Sequence, residues 1–198
     1  MRKKNLRNLK RRKNFRTTRK NFLIVCEGEK TEPNYFSKFR VPKRVFDVVG
    51  IGANTESLVK KAIEFKNNAT ISYDDVWCVF DRDSFPAQNF NNAFILAKRN
   101  NIHIAYSNEA FELWYLLHFY FHDAATSRAQ YKTMLTARLG FPYKKNDPYM
   151  YDHLRSSQKT AIKNAINLLD SYINHSPVAD NPSTSVHILV QELNKYSV

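Results

Sequence analysis

Two stretches decide the fold: Phe22-Leu-Ile-Val-Cys-Glu-Gly-Glu-Lys-Thr-Glu-Pro33 and Asp75-Val-Trp-Cys-Val-Phe-Asp-Arg-Asp83. In each, a run of apolar residues (Phe22–Cys26, Val76–Phe80) is followed at once by carboxylates. A strand apolar at every position offers no side to water, so it belongs in a parallel sheet covered by helices on both faces. The intervening sequence agrees. Thr31-Glu-Pro33 reads as a helix start, with Thr31 as cap and proline in the first turn. Tyr35, Phe36 and Phe39 give that helix its apolar side. Val45–Val49 reads as a second strand, and Asn54-Thr-Glu-Ser57 opens a helix in which Leu58, Ala62 and Phe65 share a face. After the third strand come a helix over Phe90–Asn100, a fourth strand over Ile102–Tyr106, and an apolar helix, Phe111–Phe121, capped by Ser107-Asn108-Glu109. The expectation is an α/β fold with an open, mainly parallel four-stranded sheet flanked by helices.

Beyond residue 121 the strand pattern stops. Ser127–Leu139, Ser156–Asn174 and Ser183–Tyr196 read as helices, with connectors at Tyr143–Tyr151 and Pro177–Pro182. Asn181-Pro-Ser-Thr184 reads as a cap on the last helix. The chain therefore divides into a basic arm (1–20), an α/β core (21–122) and a helical C-terminal extension packed on the core (123–198).

Charge is distributed very unevenly along the 198 residues. The first 20 hold 11 of the 31 Lys and Arg and no acid, whereas the rest carry 20 Lys and Arg against 18 acids. A block of like charge without periodicity is a solvated arm that attracts polyanions, and phosphate attraction needs only clustered cations. Arg11, Arg12, Lys13, Arg16 and Arg19 are its nucleic-acid-binding candidates; a solubilising tail is the alternative. No apolar run is long enough to cross a membrane. No apolar segment of a secretory signal follows the basic residues, and the cytoplasm is the expected location. Cys26 and Cys78 each lie inside an apolar run, as buried strand thiols of a reducing compartment do.

Open parallel sheets place their functional groups at the carboxyl ends of the strands. The first strand ends at Glu27 and the third at Asp81 and Asp83. If those strands are neighbours, three carboxylates meet on one rim. In extended backbone Asp81 and Asp83 point the same way, about 6.6 Å apart. Carboxylates that close repel unless a cation lies between them, and hard oxygen ligands suit Mg²⁺ or Mn²⁺. The competing reading of Asp-x-Asp is a solvated turn. Gly28 allows close backbone approach beside Glu27. Glu32 reads as an acid complementing the dipole of the first helix, while Glu29 is open between that role and the rim. Lys30 is placed either to neutralise a phosphate or to pair with Glu29. Glu112 lies either on the solvent side of its helix or at the rim. His118 and His122, four apart, read as a packed or hydrogen-bonded pair. Tyr143, Tyr149 and Tyr151, with Lys144 and Lys145, either pack on their own domain or stack on unpaired bases.

Leu23–Phe36, Val79–Asp83, Ser107–Trp114 with Leu116–Phe119, and Asn181–His187 together resemble the RloB family, which includes AbiLii-type abortive-infection proteins. That family is similar to the Toprim fold of topoisomerases, primases and overcoming-lysogenization-defect nucleases. The resemblance spans about residues 22–193 and implies a Toprim-like, Rossmann-like sheet. It also implies Glu27 as general acid/base or ligand, Asp81 and Asp83 as ligands of Mg²⁺ or Mn²⁺, and Glu112 as a fourth carboxylate near the metal. Glu109 stands where family members often have proline after Asn108. Nothing matches the topoisomerase nucleophilic tyrosine. The implied function is a metal-dependent nuclease, acting on DNA or RNA in phage defence beside a partner ATPase. The alternative is a non-catalytic nucleic-acid-binding adaptor or effector subunit of a defence complex. A phosphatase of the haloacid-dehalogenase type would want its Asp-x-Asp after the first strand rather than the third.

Overall fold

Runs of apolar residues too short to make a stable helix extend as strands when parallel partners lie on either side, and four such runs meet here. The computed structural model describes residues 20–41, 46–52, 55–82 and 86–197. The strands are β1 (Phe22–Cys26), β2 (Phe46–Gly50), β3 (Asp75–Asp81), β4 (His103–Asn108) and β5 (Ser183–Thr184), in the order β2-β1-β3-β4-β5. β1 pairs with β2 and β3, and β3 with β4, all parallel; β5 runs antiparallel to β4.

The sheet therefore has five strands where sequence pattern predicts four. The fifth comes from residues read as a helix cap. Two residues carry no periodicity, and β5 is held by hydroxyls: Thr184 Oγ1 donates to the Tyr106 carbonyl at 2.9 Å and stands 3.0 Å from Ser107 Oγ. Thr184 Oγ1 also accepts from Val186 N–H at 3.3 Å, so the cap survives in part.

Side-chain alternation splits the sheet into two faces. Leu23, Val25, Val76, Cys78 and Phe80 face α2 (Thr55–Asn68) and α3 (Ala87–Arg99), meeting Leu58, Val59, Ala62, Phe90, Ala93 and Ala97. Phe22, Ile24, Cys26, Trp77, Val79 and Ala105 lie on the other face. It is covered by α1 (Thr31–Phe36), α4 (Glu112–Leu116), α5 (Arg128–Leu139), α6 (Met150–Leu154), α7 (Gln158–Asp170) and α8 (Val186–Asn194). Full burial of each large apolar side chain contributes about 1.5–3 kcal/mol. Because Cys78 is in register with Val25, the two cysteines point to opposite faces; both are free.

Three helix expectations are corrected. The helix expected over Phe111–Phe121 is five residues long, because a stretch buried at every position from 111 to 118 shows no period from which to read its end. The helix expected over Ser156–Asn174 is shorter, α7 at Gln158–Asp170 preceded by a 3-10 turn at Arg155–Ser157, and α6 begins inside the connector expected over Tyr143–Tyr151. Thr31 is the first residue of α1 rather than its cap; its hydroxyl donates instead to the Lys145 carbonyl at 3.0 Å. The helix expected over Ser127–Leu139 is α5, with Ser127 as its N-cap in a capping box with Gln130. The peptides Asn108–Glu109 and Asn181–Pro182 are cis. Among the described residues no helix is long and apolar enough to cross a membrane.

Candidate acidic site

The ladder runs one residue past β1: Glu27 N–H donates to the Val79 carbonyl at 2.8 Å, and the Glu27 carbonyl accepts from Gly52 N–H at 2.9 Å. This backbone clamp holds Glu27 at the strand end, where its Oε2 accepts from Asp81 N–H at 3.0 Å. The carboxylate after the first strand is thus bonded to the backbone of the residue closing the third, which neighbouring parallel strands place at the same end of the sheet. Asp83 lies outside the described residues, as do Arg11, Arg12, Lys13, Arg16 and Arg19. Lys30 is exposed at the start of α1.

Glu112, the first residue of α4, is only 9 % exposed, and Oε1 accepts from the Tyr143 hydroxyl at 3.0 Å. Its rim reading agrees with this burial. The surprise is Glu32. Read from sequence as an acid complementing the dipole of the first helix, it is 5 % exposed, and its Oε2 is buried without a hydrogen-bond partner. Gly28 explains why it fits: a Cβ at residue 28 would stand 2.1 Å from Glu32 Oε2. The glycine after Glu27 therefore leaves room for a second carboxylate.

These acids share one electrostatic environment. Burial pushes the Asp81 carboxyl well above its ordinary range; Glu32, Glu112 and Glu27 push it further, while Arg128 opposes them. Burial also raises Glu32, as does Glu112; its own backbone hydrogen bond, Lys145 and Arg128 pull it down. Arg128 Nη2 is 3.6 Å from Asp81 Oδ2 and donates to the Glu109 carbonyl at 3.4 Å. An acidic floor is thus edged by two cations, Arg128 and Lys145, that sequence position alone does not bring near it.

The donor chemistry, oxygen only, suits a hard divalent cation, and the unpartnered Glu32 Oε2 is the group such an ion would satisfy. Among the described residues, however, no three His, Cys, Asp or Glu side chains stand close enough together to hold a metal ion.

The histidines are accounted for by packing. His118 Nδ1–H donates to the Trp114 carbonyl at 2.9 Å, and burial brings its pKa down to about 4. His122 Nε2 lies 2.7 Å from Thr126 Oγ1. Asn108 Nδ2 donates to the Asp180 carbonyl at 2.8 Å, tying the end of β4 to the connector before β5. That connector is braced by Asp180 Oδ2, 2.6 Å from His175 Nδ1, whose Nε2 lies 2.7 Å from the Tyr106 hydroxyl.

No curated protein and no solved structure was found to match this chain. The model of the RloB-like protein family matches residues 22–193, which takes in every strand, every helix except the last residue of α8, and all four of these acids. With the match running through nearly the whole described fold, the chain belongs to the RloB-like family.

Proposed function

We propose that the protein is a nuclease that hydrolyses phosphodiester bonds of DNA or RNA at the acidic rim, on a Toprim-like sheet. The single observation that carries this reading is the contact of Glu27 with Asp81 across two parallel strand ends, beside the buried Glu32 and Glu112. A cluster of carboxylates costs stability unless a cation neutralises it, and enzymes accept such costs at their sites.

Glu27 and Asp81, together with Asp83, which lies outside the described residues, are the residues that would hold Mg²⁺ or Mn²⁺. A divalent ion bound there supplies Lewis-acid polarisation of a phosphate and a more acidic water. Glu27 is positioned to hold or move a proton, fixed by the Asp81 amide. Arg128 and Lys145 offer positive charge to a phosphate that would otherwise be repelled by the floor. Tyr143 keeps Glu112 oriented. The arm raises the local concentration of nucleic acid. Membership of the family supports a role in phage defence beside a partner ATPase, in the cytoplasm.

The test is cleavage of single- and double-stranded DNA and RNA with Mn²⁺. Asp81→Asn and Glu27→Gln are expected to lose on the order of 100-fold or more in rate while remaining folded. Wild-type rates in both variants would refute the assignment. One observation favours the second reading, a non-catalytic adaptor: no described trio of side chains is set to grip a metal. A chain that binds nucleic acid but never cuts it, alone or with an ATPase, would establish that reading.

A further inference from the structure

The segment after α5 joins the acidic rim to the outer surface. At its start the Tyr143 ring is buried and its hydroxyl sits on Glu112; Thr31 Oγ1 donates to the Lys145 carbonyl and Asn34 Nδ2 to the Asn146 carbonyl, at 3.3 Å. At its end the chain turns, with Tyr149 N–H donating to Asp147 Oδ1 at 2.8 Å. Tyr149 is left 61 % exposed, against 4 % for Tyr143. The Lys38 ammonium lies 5.3 Å from the centre of its ring and pairs with Asp152 at 3.4 Å. Lys144 and Lys145 are exposed between the two tyrosines, and Lys145 already acts on Glu32.

We propose that residues 143–149 form a guide for an unpaired nucleic-acid strand, with Tyr149 stacking on a base while Lys144, Lys145 and Arg128 contact its phosphates on the way to the rim. The inference rests on the nuclease reading and adds the substrate class, single-stranded nucleic acid. A paired base has both faces covered by its neighbours, whereas an exposed ring on a braced turn serves a base that has left the stack. An acidic polypeptide would use the lysines but has no use for the ring's face.

The test is fluorescence anisotropy with the full chain in EDTA, so that binding is read without cleavage. The probes are a short labelled DNA strand, the same sequence as RNA, and the DNA duplex. Tyr149→Ala is expected to weaken single-strand binding between about fivefold and about a hundredfold, with Tyr149→Phe restoring it and duplex affinity unchanged. DNA and RNA arms that differ would name the preferred strand. Tyr149→Ala binding like wild type, or losing duplex affinity equally, would overturn the proposal. So would displacement of the strand by polyglutamate that itself depends on Tyr149. If Asp81→Asn still cuts, the nuclease reading fails alone; if Tyr149-dependent binding is missing while Asp81→Asn abolishes cleavage, this proposal fails alone.

Discussion

The two faces of the sheet are built from the same strands but hold different things. The face under α2 and α3 is a hydrocarbon layer in which Leu23, Val25, Cys78 and Phe80 meet two amphipathic helices. The face under α1 and α4–α8 is larger and takes in Glu32, Glu112, His118, Asn164 and His187 among its aromatic residues. A buried polar group costs free energy unless it is partnered, so a fold gains nothing by gathering them on one side for stability alone. The difference separates scaffold from site: one face sets the order of the strands, and the other uses their ends.

That division can be broken by experiment. Leu58→Ala, in the quiet layer, is expected to cost about 2–5 kcal/mol in urea unfolding, while any cleavage per folded molecule stays at the wild-type rate. Loss of cleavage in a folded Leu58→Ala protein would mean that the faces are not independent. Gly28→Ala should do the opposite. Its methyl enters the space of Glu32 Oε2, 2.1 Å away, and displacing that carboxylate should lower cleavage on the order of 100-fold with a modest change in stability. Unchanged cleavage would remove Glu32 from the site.

The smallest effect sharpens the comparison through pH. Burial and neighbouring acids raise the folded-state pKa of Asp81, so the folded chain holds that proton more tightly than the unfolded chain. The resulting stability is complete below the ordinary carboxylate range and is lost as pH rises through the folded-state value. Asp81→Asn should therefore raise the melting temperature in EDTA near neutral pH, by roughly 2–4 °C for each ~1 kcal/mol gained. The gain should shrink towards about pH 4, and a gain of equal size at both pH values would show that it does not come from the ionised carboxylate.

Much of this fold is legible in the chain because burial on both faces leaves a mark: Phe22–Cys26 and Val76–Phe80 cannot be anything but central strands once helices flank them. The meeting of Glu27 with Asp81 follows, since parallel neighbours end on the same side. Glu32 was not legible. An acid in the first turn of a helix looks the same whether its helix faces water or a strand end, and only the packing of α1 against the rim settles which. The Gly28 that makes room for it reads in sequence only as a place for close backbone approach. Arg128, Tyr143 and Lys145 reach the site from the helical extension, about a hundred residues beyond Glu27, with no spacing rule to announce them. β5 was missed because two residues have no period.

Within residues 22–108, then, local order was determined by the sequence alone: which segments extend, which coil, and which strand ends carry acids, because those depend on a residue's near neighbours. The tertiary structure alone decided which acids lose their water and which cations stand beside them. Desolvation is set by what packs on a side chain from elsewhere in the molecule, and the helices that bury Glu32 and Glu112 come from distant parts of the chain.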